Sequence, residues 1–190
     1  MSRAPVWRTV ALAVTLASGA GCLGGWRREY PREWPERVLQ SGGSCLPFSG
    51  SWENLPEEDP FNLRPRSLEE LLLGQAIPKP KRLRVLVEST PAGDLRVGTT
   101  PLAGGEPSWT ELRKGRDFEC ADGSIVVHPA GGPWADADIC VGRTWKRATL
   151  ARDASGALVV RPSERVLCIS LLGAACLWEA DWARFRPVSP

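Results

Sequence analysis

From Pro80 onward the apolar residues return at every second position. Leu83, Val85 and Val87 alternate with Arg82, Arg84 and Glu88, the pattern of a strand that buries one face and wets the other. Thr90-Pro-Ala-Gly-Asp supplies a turn, and Leu95-Arg-Val the return strand. The same grammar recurs twice. Asp117-Phe-Glu-Cys leads through a turn at Ala121-Asp-Gly into Ser124-Ile-Val-Val, and Lys146-Arg-Ala-Thr-Leu-Ala leads through Asp153-Ala-Ser-Gly into Ala157-Leu-Val-Val. Asp and Gly at such positions accept the backbone angles that tight hairpins demand. Three hairpins in succession predict a mainly β fold, an antiparallel meander. The predominantly apolar run from Val166 to Trp178 is short for a bilayer span of roughly 20 residues, and reads as a central strand that breaks at Gly173. Asp181-Trp-Ala-Arg-Phe-Arg alternates once more, with Trp182 and Arg184 opposite Ala183 and Phe185, and makes a closing strand. If that strand meets the first, the sheet rolls into a small barrel without exposed edges; otherwise it remains a curled open sheet covered by a helix.

That helix has its own signal ahead of the strands. In Ser67-Leu-Glu-Glu-Leu-Leu-Leu-Gly the serine can cap, Glu70 can complete a capping box, and Leu68, Leu71 and Leu72 fall on one face. Gly74 and Pro78 end it, so a short helix near 68–73 is expected, stable only if its leucines are buried. Upstream, residues 22–44 are punctuated by Pro31, Pro35 and glycines, which deny them a long helix. They read as a tether. Its Trp26, Tyr30 and Trp34 lie among arginines and could rest on lipid headgroups; a solvated linker is the alternative. The remainder, 45–190, reads as a single β-rich domain.

The first 21 residues change the picture of where the chain goes. A basic start with Arg3 and Arg8 precedes the apolar run Val10-Ala-Leu-Ala-Val-Thr-Leu-Ala and the small residues Ser18-Gly-Ala-Gly, the order of parts in an export signal. Over the whole chain 24 basic side chains face 22 acidic ones. Loss of Arg3 and Arg8 with the leader evens the two counts, so the positive footprint of a phosphate-tracking, nucleic-acid-binding protein is missing.

The junction Gly21-Cys22 resembles the lipobox of bacterial lipoproteins, in which the signal is removed before a cysteine whose sulfur carries diacylglycerol. Gly19 stands where that family has Leu or another larger aliphatic residue, and cleavage after Ala20 is the alternative. The resemblance implies lipidation at Cys22, and Leu23 in the following position implies the outer membrane. Further phrases resemble exported bacterial lipoproteins that carry no assigned activity: Cys45 with Ser49-Gly-Ser-Trp-Glu-Asn, Ser67-Leu-Glu-Glu-Leu-Leu, Phe118-Glu-Cys-Ala-Asp-Gly, and Trp182-Ala-Arg-Phe. Ser51, inserted before Trp52, departs from that pattern. A location and a β-rich architecture are implied; no activity transfers.

The cysteines Cys45, Cys120, Cys140, Cys168 and Cys176 suit disulfides in an exported chain. With Cys22 acylated, five remain and allow two bridges; without acylation all six allow three. Cys45 with Cys120 is the preferred pair, a staple between the N-terminal segment and the β-rich body. Cys168 and Cys176 are too far apart along any straight strand or helix to pair, and can do so only if the chain reverses near Gly173. No Cys-x-x-Cys is present, so no metal site is expected.

Candidate chemistry is sparse. His128 is the sole histidine, the residue a Ser-His-Asp enzyme would need, but no Gly-x-Ser-x-Gly elbow accompanies it. Asp117, Glu119 and Asp122 crowd one hairpin, and Asp136 and Asp138 follow a Gly-Gly-Pro loop; turn carboxylates explain both clusters better than calcium or glycosidase chemistry. Phosphate-cradling glycine motifs are missing, and no cofactor is expected. Nine tryptophans could fill a core or line a sugar- or lipid-binding surface, for which Trp109 and Trp134 in Gly/Pro-rich loops are the candidates. The expectation is a non-enzymatic cell-envelope lipoprotein with a structural or interaction role, anchored at the outer membrane and otherwise periplasmic or secreted. Its partners would be the membrane, an envelope protein, a lipid or a glycan. A ligand-binding module or carrier for lipid or glycan is the alternative, and a secreted hydrolase using His128 or the carboxylates a distant third.

Overall fold

The computed structural model describes residues 24–38, 48–57, 66–74, 83–121, 123–129, 133–136, 140–170 and 173–188. Two short strands open the described chain, β1 (Gly24–Arg27) and β2 (Arg37–Val38). β3 (Gly50–Glu53), β4 (Leu83–Ser89), β5 (Leu95–Pro101) and β6 (Ser108–Leu112) then form an antiparallel meander. The expected hairpin is its centre: β4 and β5 pair from Leu83↔Pro101 to Ser89↔Leu95. Its turn is closed by the Thr90 carbonyl, which accepts from Gly93 N–H at 2.9 Å, and by the Thr90 hydroxyl, which accepts from Asp94 N–H at 3.1 Å.

The other two expected hairpins begin a second sheet. β7 (Phe118–Ala121) and β8 (Ser124–Val127) meet at Ala121↔Ser124, with Gly123 at φ 71° in the turn, where a side chain would be strained. After β9 (Pro133–Asp136) come the two longest strands, β10 (Cys140–Asp153) and β11 (Leu158–Ser170), paired from Val141↔Ile169 to Arg152↔Leu158. β12 (Gly173–Ala180) turns back along β11 with Ser170↔Gly173 in register. The apolar run is therefore a hairpin and not one interrupted strand; the chain does reverse before Gly173, but the register sets Cys176 opposite Leu167 and Cys168 opposite Ala175, so the two cysteines are one position out of step and not cross-strand partners. β13 (Ala183–Phe185) is the closing strand, and it pairs with β11.

No barrel forms among the described strands, which corrects the closed alternative. The reason lies in strand length. β11 spans 13 residues, about 43 Å at a strand's rise, and seats β12 and β13 in tandem along one edge: residues 163–170 take β12 and residues 158–160 take β13. The last strand thus finds its partner without reaching β4. The opposite edge of β10 is likewise shared by β9, β8 and β2.

Between the sheets lies one apolar core. Trp52, Val85, Val87, Leu95 and Val97 from the meander meet Phe118, Ile125, Leu150, Leu158 and Phe185 from the second sheet. The short helix α1 (Leu68–Leu73) adds Leu68, Leu71 and Leu72, all buried, which is what a six-residue helix requires. Its first turn is fastened at two points: the Ser67 hydroxyl accepts from Glu70 N–H at 3.2 Å, and the Asn54 side-chain oxygen accepts from Glu69 N–H at 2.9 Å. Gly74, left-handed at φ 74°, ends it. The sheets are also pinned by a polar contact, because Trp52 Nε1 donates to the carbonyl of Gly156 in the β10–β11 turn at 3.2 Å.

Residues 24–38, expected as part of a free tether, are folded onto the second sheet. β1 runs parallel to β12, with Gly24↔Leu177 and Arg27↔Ala180 in register, and β2 pairs with the end of β10. Tyr30 packs edge-on against Trp34 at 5.7 Å and Trp182 at 5.0 Å, while its hydroxyl donates to the Pro35 carbonyl at 2.6 Å. Trp182 Nε1 donates to the Arg28 carbonyl at 3.2 Å. Tyr30 and Trp34 cover this sheet, which is the part of the tether reading that changes.

Candidate functional site

Strand periodicity and register assemble the candidate site. Along β10, Arg143, Trp145 and Arg147 are two residues apart and share one face. The register carries this pattern across the sheet: Arg143, Leu167 and Cys176 form one row, Trp145, Arg165 and Trp178 the next, and Arg147 and Ser163 a third. A groove of about 690 Å³ runs over these rows. Trp145 is 46% exposed, and the Arg143 guanidinium lies 5.8 Å from its ring centre. Trp178 is held from the other side, because it lies so closely over Gly25 of β1 that a methyl there would meet the ring at 2.5 Å. No carboxylate lines this groove among the described residues. Glu164 and Glu179 occupy the alternate row, on the opposite face, and Glu164 is paired with Arg66 at 2.6 Å. The result is a cationic, aromatic surface suited to anions and to flat or apolar groups.

At the margin of the groove, Glu119 takes a hydrogen bond from Arg147 at 2.8 Å and lies 3.5 Å from His128 Nε2. His128 is exposed and part of this rim. Asp117 is committed to its turn: its carboxylate accepts from Arg113 N–H at 2.8 Å and from Arg116. The hydrogen bond from Arg116, then that from the Arg113 backbone, holds its carboxyl below the ordinary value. Asp122 and Asp138 lie outside the described residues, as does the Asp136 side chain. Among the described residues no group of three His, Cys, Asp or Glu could hold a metal ion.

The two tryptophans singled out from sequence are not brought together. Trp109 sits on β6 in the first sheet, flat over Gly98 of β5 and under the Arg96 guanidinium at 4.5 Å. Trp134 belongs to β9, where its backbone pairs with Gly142; its side chain lies outside the described residues. Trp145 and Trp178 were missed, although the Arg-x-Trp-x-Arg spacing at 143–147 was a visible sign of a solvent-facing strand edge rich in cations.

Neither Cys120 nor Cys176 is a free thiol. Cys22 and Cys45 lie outside the described residues, as do the side chains of Cys140 and Cys168, so the Cys45–Cys120 pairing does too.

A second polar cluster was also unseen in the sequence. Asp153, fully buried at its side chain, accepts from Ser155 N–H at 2.9 Å, from Ala157 N–H at 3.0 Å, from the Ser155 hydroxyl at 2.6 Å and from Arg184 Nε at 2.8 Å. Arg184 in turn donates to both oxygens of Glu57 at 2.7 and 2.6 Å. Burial works against the Asp153 charge, but the hydrogen bonds from Ser155 and Arg184 outweigh it and hold the carboxyl below its ordinary value. Every acceptor here is occupied by the protein's own donors, so the cluster fastens the closing strand to the β10–β11 turn and leaves no reactive group free.

Comparison with protein-family models, with curated proteins and with solved structures gave no match.

Proposed function

We propose that this chain is a non-enzymatic lipoprotein of the bacterial cell envelope, exported by its N-terminal segment, anchored through acylated Cys22 at the outer membrane, and serving an interaction role through the outer face of β10–β12. The observation that carries the interaction role is the arginine–tryptophan face itself: Trp145 and Trp178 in one row with Arg165, Arg143 in the next, and Arg147 paired with Glu119 at the rim. An exposed ring, Trp145, beside a half-buried one, Trp178, with guanidinium groups in the same rows suits a partner that is both anionic and partly apolar. The disulfide reading accords with Cys120 and Cys176, neither of which is a free thiol. Among the described residues no helix is long and apolar enough to cross a membrane; acyl chains would serve in place of a span, at about 0.8 kcal/mol for each buried methylene.

Metabolic labelling with radioactive palmitate tests the anchor. Label on the wild-type chain in the membrane fraction, with Cys22→Ala unlabelled and released, is expected. An unlabelled wild-type chain in the soluble fraction would overturn it. A second reading, a carrier that takes a glycan or lipid into the groove, is favoured by its volume of about 690 Å³.

A further inference from the structure

The arginine–tryptophan face shares its half of the hairpin with the start of β1. β1 runs parallel to β12, so its first residue, Gly24, lies toward the β11–β12 turn, opposite Leu177. β1 therefore begins in the half of the hairpin that ends at the β11–β12 turn, four residue pairs from it.

From that end the outer face is graded. The row next to the turn carries Ile169, opposite Ala174 and 54% exposed. The row behind it joins Arg143 to Leu167, and the one after joins Trp145 and Trp178 to Arg165. Apolar side chain first, aromatic rings and cations next, is the order in which a protein meets a bilayer: aliphatic groups favour the acyl boundary, amphipathic rings the headgroup level, and arginines the anionic phosphates. An open-ended solvent-facing strand pair would have no reason to expose Ile169 and keep its carboxylates, Glu164 and Glu179, on the other face.

We propose that this face docks on an anionic bilayer surface, the leaflet in which the Cys22 acyl chains are held, with the β11–β12 end dipping into the interface and Arg143 and Arg165 on lipid phosphates. The placement of the leaflet rests on the anchor reading; the affinity of the face for anionic lipid does not. The acyl chains would hold the domain at the leaflet, and the face would set how it lies there. The domain then lies against the membrane instead of standing off from it on a linker.

The test uses the full chain carrying Cys22→Ser, which cannot be acylated, in co-sedimentation with vesicles of phosphatidylcholine alone or with about one quarter phosphatidylglycerol. Binding to the phosphatidylglycerol vesicles that weakens with added salt is expected. Replacing Arg143 and Arg165 together by alanine should lower partition by roughly 25-fold, about fivefold for each cation, with an unchanged thermal midpoint showing that the variant is folded. Arg96→Ala, on the first sheet, should bind as the parent does, and all variants share one N-terminal segment, so the difference reads the face alone. Equal binding to both vesicle types, or an arginine variant that partitions like its parent, would overturn the proposal. So would binding of a soluble anionic polysaccharide without vesicle binding, which would assign the face to a glycan. Palmitate labelling reads the anchor independently, so the two can fail separately.

Discussion

Asp153 ties a turn and the closing strand together through a single side chain. One carboxylate closes the β10–β11 turn through Ser155 and Ala157 and holds Arg184 of the last strand, which itself grips Glu57. Removing one partner of a buried, hydrogen-bonded ion pair strands the other and costs about 3–5 kcal/mol. Asp153→Ala should therefore lower unfolding free energy in urea by that amount, whereas loss of the exposed Glu119, paired with Arg147 at the surface, should cost no more than about 1 kcal/mol. The pH dependence follows in sign. Because the folded Asp153 carboxyl is held below its unfolded value of about 3.9, its contribution is complete above that value and is lost as the pH falls through the lower, folded one. Wild-type stability should drop across this acid range, and Asp153→Asn should flatten the drop; an unchanged acid profile in the variant would contradict this role. Nothing in the local sequence marks Asp153 for it. Asp-x-Ser-Gly reads as a turn, and the partners that bury it, Arg184 and Glu57, are 31 and 96 positions away in the chain.

At the level of elements, what was legible was what is local. Period two, a helix cap and turn residues are short-range signals, and they located β4, β5, β7, β8, β10, β11, α1 and the closing strand. Pairing between distant segments leaves no such mark. β1 next to β12 and β13 next to β11 depend on which edge is vacant once the long hairpin has formed, and the division into two sheets depends on where the chain after β6 can go. The Trp109–Gly98 contact shows how such pairing is enforced. Trp109 and Gly98 are directly opposite in register, and the ring covers the bare backbone, filling the space that a glycine leaves in a strand. A methyl at Gly98 would lie 2.8 Å from that ring. Gly98→Ala is thus expected to cost about 1–3 kcal/mol by overpacking, read as a fall in thermal midpoint, and Trp109→Ala in the same background should relieve part of it. Additive losses from the two substitutions would contradict the contact.

For the whole molecule, the two sheets and α1 close one core, and the second sheet extends beyond it as a hairpin whose outer face is cationic and aromatic. Trp109, singled out from composition, packs on Gly98 of its own sheet, while Trp145 and Trp178 come onto one face only through register. The proposed cell-envelope role links this face to the N-terminal cysteine. Its most direct measurement is the intact mass of the native protein isolated from its own cells, before and after reduction. A chain that begins at a diacylglyceryl Cys22 and gains four hydrogens on reduction is expected, which would place two bridges among the remaining five cysteines. A chain without lipid, gaining six hydrogens, would contradict the anchor and make this a soluble disulfide-bonded domain.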